Sequence, residues 1–122
     1  MIALSIREGT TDEVLSAMRW YAELTEVFEL RIDYLRDPDL EKLIKHSHDL
    51  SKPVIVTNRH ISESGFEANS WFQGSEQERI ELLQKALSLG ADYVDIEYHF
   101  FIQLKKISPE QKIIVSYHNF DE

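Results

Sequence analysis

The sequence predicts a parallel α/β fold, and three observations carry that prediction. Short apolar runs rich in β-branched residues recur along the chain: "IALSIR" (2–7), "VFELRID" (27–33), "PVIVT" (53–57), "ADYVDIE" (91–97) and "KIIVSYH" (112–118). Between them lie segments with helical apolar spacing and helix-start signals. Neighbouring runs are never joined by a hairpin turn signal. The resulting period of about 25 residues is that of a βα unit, and repeated βα units build a parallel sheet.

Each intervening helix has a local cause. Thr10 and Glu13 form a capping box ahead of Val14, Ala17, Met18 and Tyr21. Asp37 followed by Pro38 is expected to open the second helix, because proline is preorganised for the first helical position. Its apolar face carries Leu40, Leu43 and Ile44. The third run is followed by a polar stretch from Asn58 to Gly74. Ser75 and Glu78 then form a second capping box, and Ile80, Leu83, Ala86 and Leu87 continue a stripe that Gly90 stops. "HFFIQLKKI" (99–107) reads as a short helix before the fifth run.

Composition bounds what such a fold can do. The 122 residues, 43% hydrophobic and 29% charged, suit one soluble domain spanning 1–122. No apolar run approaches the roughly 18–20 residues that span a bilayer, and "MIALSIREGT" has none of the features of a secretory leader. No membrane partner is expected. The chain has no cysteine, which excludes disulfides and thiolate metal sites and suits a cytoplasmic location. A formal net charge of −9 and scattered lysines argue against a nucleic-acid partner, which needs a basic face.

Ligands of parallel α/β folds sit at the carboxyl ends of the strands. Here those ends carry Arg7; Glu29 and Arg31; Thr57 and Arg59, with Glu63 in the loop beyond; Asp95 and Glu97; and Ser116 and His118. Each has a plainer reading. Glu29 and Arg31 could pair with each other on a solvated face, Asp95 and Glu97 could cap a helix, Arg59 could pair with Glu63, and His118 could be a surface histidine. Their gathering at one end of one sheet favours a small polar anion, with histidine as acid and base. His60 and His99 flank the same ends without a ligand spacing. A metal site from Glu97, His99 and His118 lacks any recognised spacing, so no metal is expected. His46 and His48 close the second helix, where positive charge suits the macrodipole.

"ELRIDYL" (29–35), "PVIVTNRHISESG" (53–65), "GSEQERIELLQKALSLGADYVDIE" (74–97) and "SYHNF" (116–120) together resemble, in order and spacing, type I 3-dehydroquinate dehydratase. The resemblance covers essentially the whole chain. It implies a (β/α)8 barrel and the dehydration of 3-dehydroquinate to 3-dehydroshikimate in the shikimate pathway, through an imine between a lysine and the substrate ketone. No cofactor is implied. His118 matches the catalytic histidine and Asp95 the carboxylate that orients it. Glu29, Arg31 and Arg59 match residues that hold the substrate's polar groups, and Glu63 matches the loop glutamate. Two departures touch none of these roles: the loop reads Glu63-Ser64-Gly65 where the family has Glu-Gly-Gly, and Asn119 stands where the family has Asp.

The third departure is chemical. The family's lysine lies on the strand after the histidine strand, and the expectation is of a truncated barrel of about five strands that lacks it. Lys52 and Lys112 precede their strands, whereas Lys42, Lys45, Lys85, Lys105 and Lys106 fall on helices. None is placed at a strand exit as a nucleophile must be. The chain alone is therefore expected to be inactive. It could instead be a binding module for a small hydroxy-acid, or a product without function. Two open sheet edges imply a homo-oligomer, or association with a C-terminal barrel fragment, since five strands plus three make the eight of a filled barrel.

Overall fold

The computed structural model describes residues 2–58, 75–97 and 113–116. Five strands lie parallel in one sheet: β1 (Ala3–Ile6), β2 (Val27–Arg31), β3 (Val54–Thr57), β4 (Tyr93–Glu97) and β5 (Ile113–Ser116). Their spatial order follows the chain, β1-β2-β3-β4-β5. Helices α1 (Thr11–Tyr21), α2 (Leu40–Asp49) and α3 (Glu76–Ser88) fill the first three described crossovers. Consecutive parallel strands, with a helix in each of the three described crossovers, have the arrangement of a five-strand part of a (β/α)8 barrel. The 99–107 segment, expected as a helix, lies outside the described residues.

The two faces of the sheet divide the chemistry. Ile6, Phe28, Leu30, Val54, Val56, Val94 and Ile96 belong to the core with Val14, Leu15 and Met18 of α1, Leu40, Leu43 and Ile44 of α2, and Ile80, Leu83 and Ala86 of α3. Alternation along each strand then puts Ser5, Glu29, Arg31, Ile55, Thr57, Tyr93 and Asp95 on the opposite face. Register aligns them across strands. Ser5, Glu29, Ile55 and Tyr93 form one row, and Arg31, Thr57, Asp95 and Ile114 form the next.

The helix ends follow their local signals, with one correction. Thr10 accepts from the Glu13 backbone N–H at 3.2 Å, and its hydroxyl donates to the Glu13 carboxylate. Ser75 and Glu78 complete the reciprocal capping box. Pro38 does not open α2. Asp37 turns through a positive φ of 45°, and the helix starts two residues later on Asp39, whose carboxylate accepts from the Lys42 N–H at 3.1 Å. An N-cap residue needs φ below zero, so the left-handed backbone of Asp37 passes the cap to Asp39.

Gly90 stops α3 as expected. Its φ of 102° lets Ala91 N–H reach the Ala86 carbonyl while its own N–H reaches Leu87, the paired bonds of a Schellman turn. The same turn ends α2 without glycine. Ser51 adopts φ 61°, with Lys52 N–H on Ser47 and Ser51 N–H on His48.

One carboxylate ties the amino-terminal ends of β3 and β4 to the end of α2. Asp92 Oδ2 accepts from the Val54 N–H at 2.8 Å and lies 2.8 Å from His48 Nε2. Asp92→Ala should cost about 1–3 kcal/mol in urea unfolding by stripping a β-sheet amide of its acceptor. His48→Ala should cost less than about 1 kcal/mol, because that side chain is 42% exposed. Equal losses from the two variants would contradict this division of labour.

Candidate functional site

The described part of the site is built on the carboxyl ends of β2, β3 and β4. Glu29 is half-buried, and its Oε2 accepts from the Thr57 hydroxyl of the neighbouring strand at 3.0 Å. Register explains the contact. Thr57 pairs with Arg31, so Glu29 lies one residue pair behind it on the same face, within reach of a diagonal bond. Asp95 stands beside Thr57 on β4, also half-buried.

Arg31 makes a different pair from the one its spacing suggests. Its partner is Asp33. Nε donates to Oδ1 at 3.0 Å and Nη2 to Oδ2 at 2.7 Å, a two-pronged ion pair with 5% and 0% exposure on the two side chains. The Arg31 guanidinium also sits 5.0 Å from the centre of the Tyr34 ring. The geometry comes from a chain turn. β2 ends at Arg31, and a 3₁₀ turn over Ile32–Tyr34 folds Asp33 back against it. Strand two was expected to run on to Asp33. The tight turn replaces its last two residues, and it is tethered through Arg36 N–H to the Gly9 carbonyl at 3.1 Å.

Glu29, Arg31 and Asp95 therefore occupy one face and one end of the sheet, as the strand alternation implies. Arg59, Glu63 and His118 lie outside the described residues, as do His60 and His99. Glu97 and Ser116 pair across β4 and β5 by register. The described lysines keep to the positions the sequence gives them: Lys42 and Lys45 on α2, Lys85 on α3, and Lys52 ahead of β3. Lys105, Lys106 and Lys112 lie outside the described residues. No helix among the described residues is long and apolar enough to cross a membrane.

Sequence reasoning missed two residues at this end. Asp33 could have been found, since Arg31-Ile32-Asp33 repeats the alternation that singled out Glu29 and Arg31. Arg79 is the second. It is 1% exposed and donates from Nη1 to the Asn58 carbonyl at 2.8 Å, at the exit of β3 and one residue before Arg59. Its signal is positional: residue 79 shares a helix face with Leu83 and Ala86, so a charged residue there must be buried. Asn58 beside it is also 1% exposed, with neither side-chain polar atom hydrogen-bonded.

Comparison with known proteins matches the chain to one family. The family model for type I 3-dehydroquinase matches residues 2–122. The 3-dehydroquinate dehydratase of Methanothermobacter thermautotrophicus is 38% identical over 124 residues, covering 99% of this chain and 53% of that protein. That of Methanocaldococcus jannaschii is 30% identical over 131 residues, covering 100% and 54%. Among solved structures, 3-dehydroquinate dehydratase from Aquifex aeolicus VF5 superposes with a TM-score of 0.73 at 27% identity, over 99% of this chain and 55% of that one. The enzyme from Geobacillus kaustophilus HTA426 gives a TM-score of 0.76 at 22% identity, a likeness of fold. The chain spans about half the length of the curated relatives it matches.

Proposed function

The chain belongs to the type I 3-dehydroquinase family, and on that footing we propose that it forms the substrate-recognising side of a 3-dehydroquinate dehydratase. The observation that carries the reading is the rim at the ends of β2 to β4, where Glu29, Arg31, Thr57 and Asp95 share a face and adjacent register rows. Such a rim offers a polyhydroxy carboxylic acid both acceptors and donors. Glu29, Arg31, Arg59 and Glu63 hold its polar groups. His118 moves the proton at the carbon beside the ketone, oriented by Asp95. The reaction is a lyase step of the shikimate pathway in the cytoplasm.

The nucleophile comes from chain beyond these 122 residues. A lysine amine condenses with the ketone, expelling water and forming an imine that acidifies the adjacent carbon. Proton removal and loss of the hydroxyl as water follow, and hydrolysis of the imine frees the product and the lysine. The described lysines sit on α2 and α3 or ahead of β3, away from the strand exits where this must happen. The proposed partner is therefore the segment carrying the remaining barrel strands, in the same polypeptide or in another. Left alone, the chain is expected to self-associate through the edges at β1 and β5.

A second reading, a non-catalytic binder of a small hydroxy-acid, is supported by the Glu29–Thr57 and Arg31–Asp33 contacts, in neither of which a lysine takes part. Titration with quinate, followed by chemical shifts, tests the recognition that both readings share. The expected affinity is roughly millimolar, on the order of −4 kcal/mol. Signals of Arg31, Arg59 and His118 should move together. Shifts confined to the helices, or none, would contradict a formed recognition site.

A further inference from the structure

We propose that Asp33 is the positioning residue of Arg31: its carboxylate fixes the plane in which the guanidinium offers N–H donors to a polyhydroxy acid. The ligand class rests on the function proposed above; the pairing rests on geometry alone. Arginine on a strand exit is a long, flexible side chain, and a site needs its donors held in one direction. Here three restraints converge. Two parallel charge-assisted bonds, at 3.0 and 2.7 Å, fix the guanidinium in its own plane. The guanidinium carbon lies over the Tyr34 ring, 5.0 Å from its centre. The turn that supplies both partners is itself held, by Leu35 N–H on the Ile32 carbonyl and by Arg36 N–H on Gly9.

The pairing also changes what Arg31 recognises. A carboxylate at 2.7 Å offsets the guanidinium's charge at short range, so Arg31 meets the ligand as an oriented set of donors rather than as a net positive charge. Among the described residues, Glu29 and Asp95 share its face of the sheet.

The test uses the full chain, with two readouts. The first is the Arg31 Nε–H signal in nitrogen-edited spectra of the ligand-free protein. It should be sharp and slow to exchange in the wild type, and broadened or lost in Asp33→Asn, while backbone signals of β1 and β3 hold their positions. Asp33→Glu keeps the charge and should restore the signal in part. The second is quinate affinity by titration. Asp33→Asn should weaken it by about tenfold, and in an Arg31→Lys background the same change should shift it by less than about twofold. An Nε–H signal that stays sharp in Asp33→Asn overturns the proposal. So does an equal loss of affinity in the Arg31→Lys background, which would mark Asp33 as merely structural. If wild-type protein binds no quinate, the function proposed above falls, and the Nε–H signal still decides whether Asp33 holds Arg31.

Discussion

Arg31→Leu is expected to lower the stability of the chain by about 3–5 kcal/mol in urea unfolding, among the largest losses any single replacement should cause here. The reason is the carboxylate left behind. Asp33 has 0% side-chain exposure, so removing the guanidinium leaves its charge desolvated without the counter-charge 2.7 Å away. Asp33→Leu should cost a similar amount by removing two charge-assisted bonds from Arg31, which is 5% exposed. The double replacement should cost less than either single one, because two well-packed apolar side chains carry no desolvation penalty. Additive losses would mean that the two residues act independently, against the paired geometry.

Much of this was legible in the sequence. The five runs of β-branched residues lie where β1 to β5 form, because a strand buried on its helix-facing side needs Phe28, Leu30, Val54, Val56, Val94 and Ile96 in alternation. Capping chemistry located the starts of α1 and α3 because hydroxyl and carboxylate sit at fixed spacing there. The start of α2 was misplaced because two signals compete. Pro38 fits a first helical turn, but Asp39 offers the side-chain acceptor, and the acceptor wins.

The site was legible as far as side-chain alternation reaches. Glu29, Arg31 and Asp95 share a face because strand geometry leaves them no choice. Who pairs with whom was not legible, since that depends on register and on turns. Glu29 meets Thr57 only because β2 and β3 pair at Arg31 and Thr57. Arg31 meets Asp33 only because the chain turns at Ile32. Arg79 illustrates the remaining difficulty: an arginine in an apolar stripe reads as an exception until its carbonyl partner is known.

The central claim, that these residues recognise the substrate while the nucleophile comes from elsewhere, makes an all-or-none prediction. Losing covalent catalysis removes the low-energy route to the carbanion, so the chain alone should show no dehydration of 3-dehydroquinate. Supplying the missing strands should restore it, since barrel closure pairs both sheet edges and covers the inward-facing residues at about 25 cal/mol per Å² of apolar surface. The most direct measurement is intact mass after incubation with 3-dehydroquinate and borohydride, with and without a fragment bearing the lysine strand of a relative. The account predicts an unmodified 122-residue chain in both reactions and a reduced adduct on the added fragment alone. A substrate adduct on any lysine of this chain would contradict it.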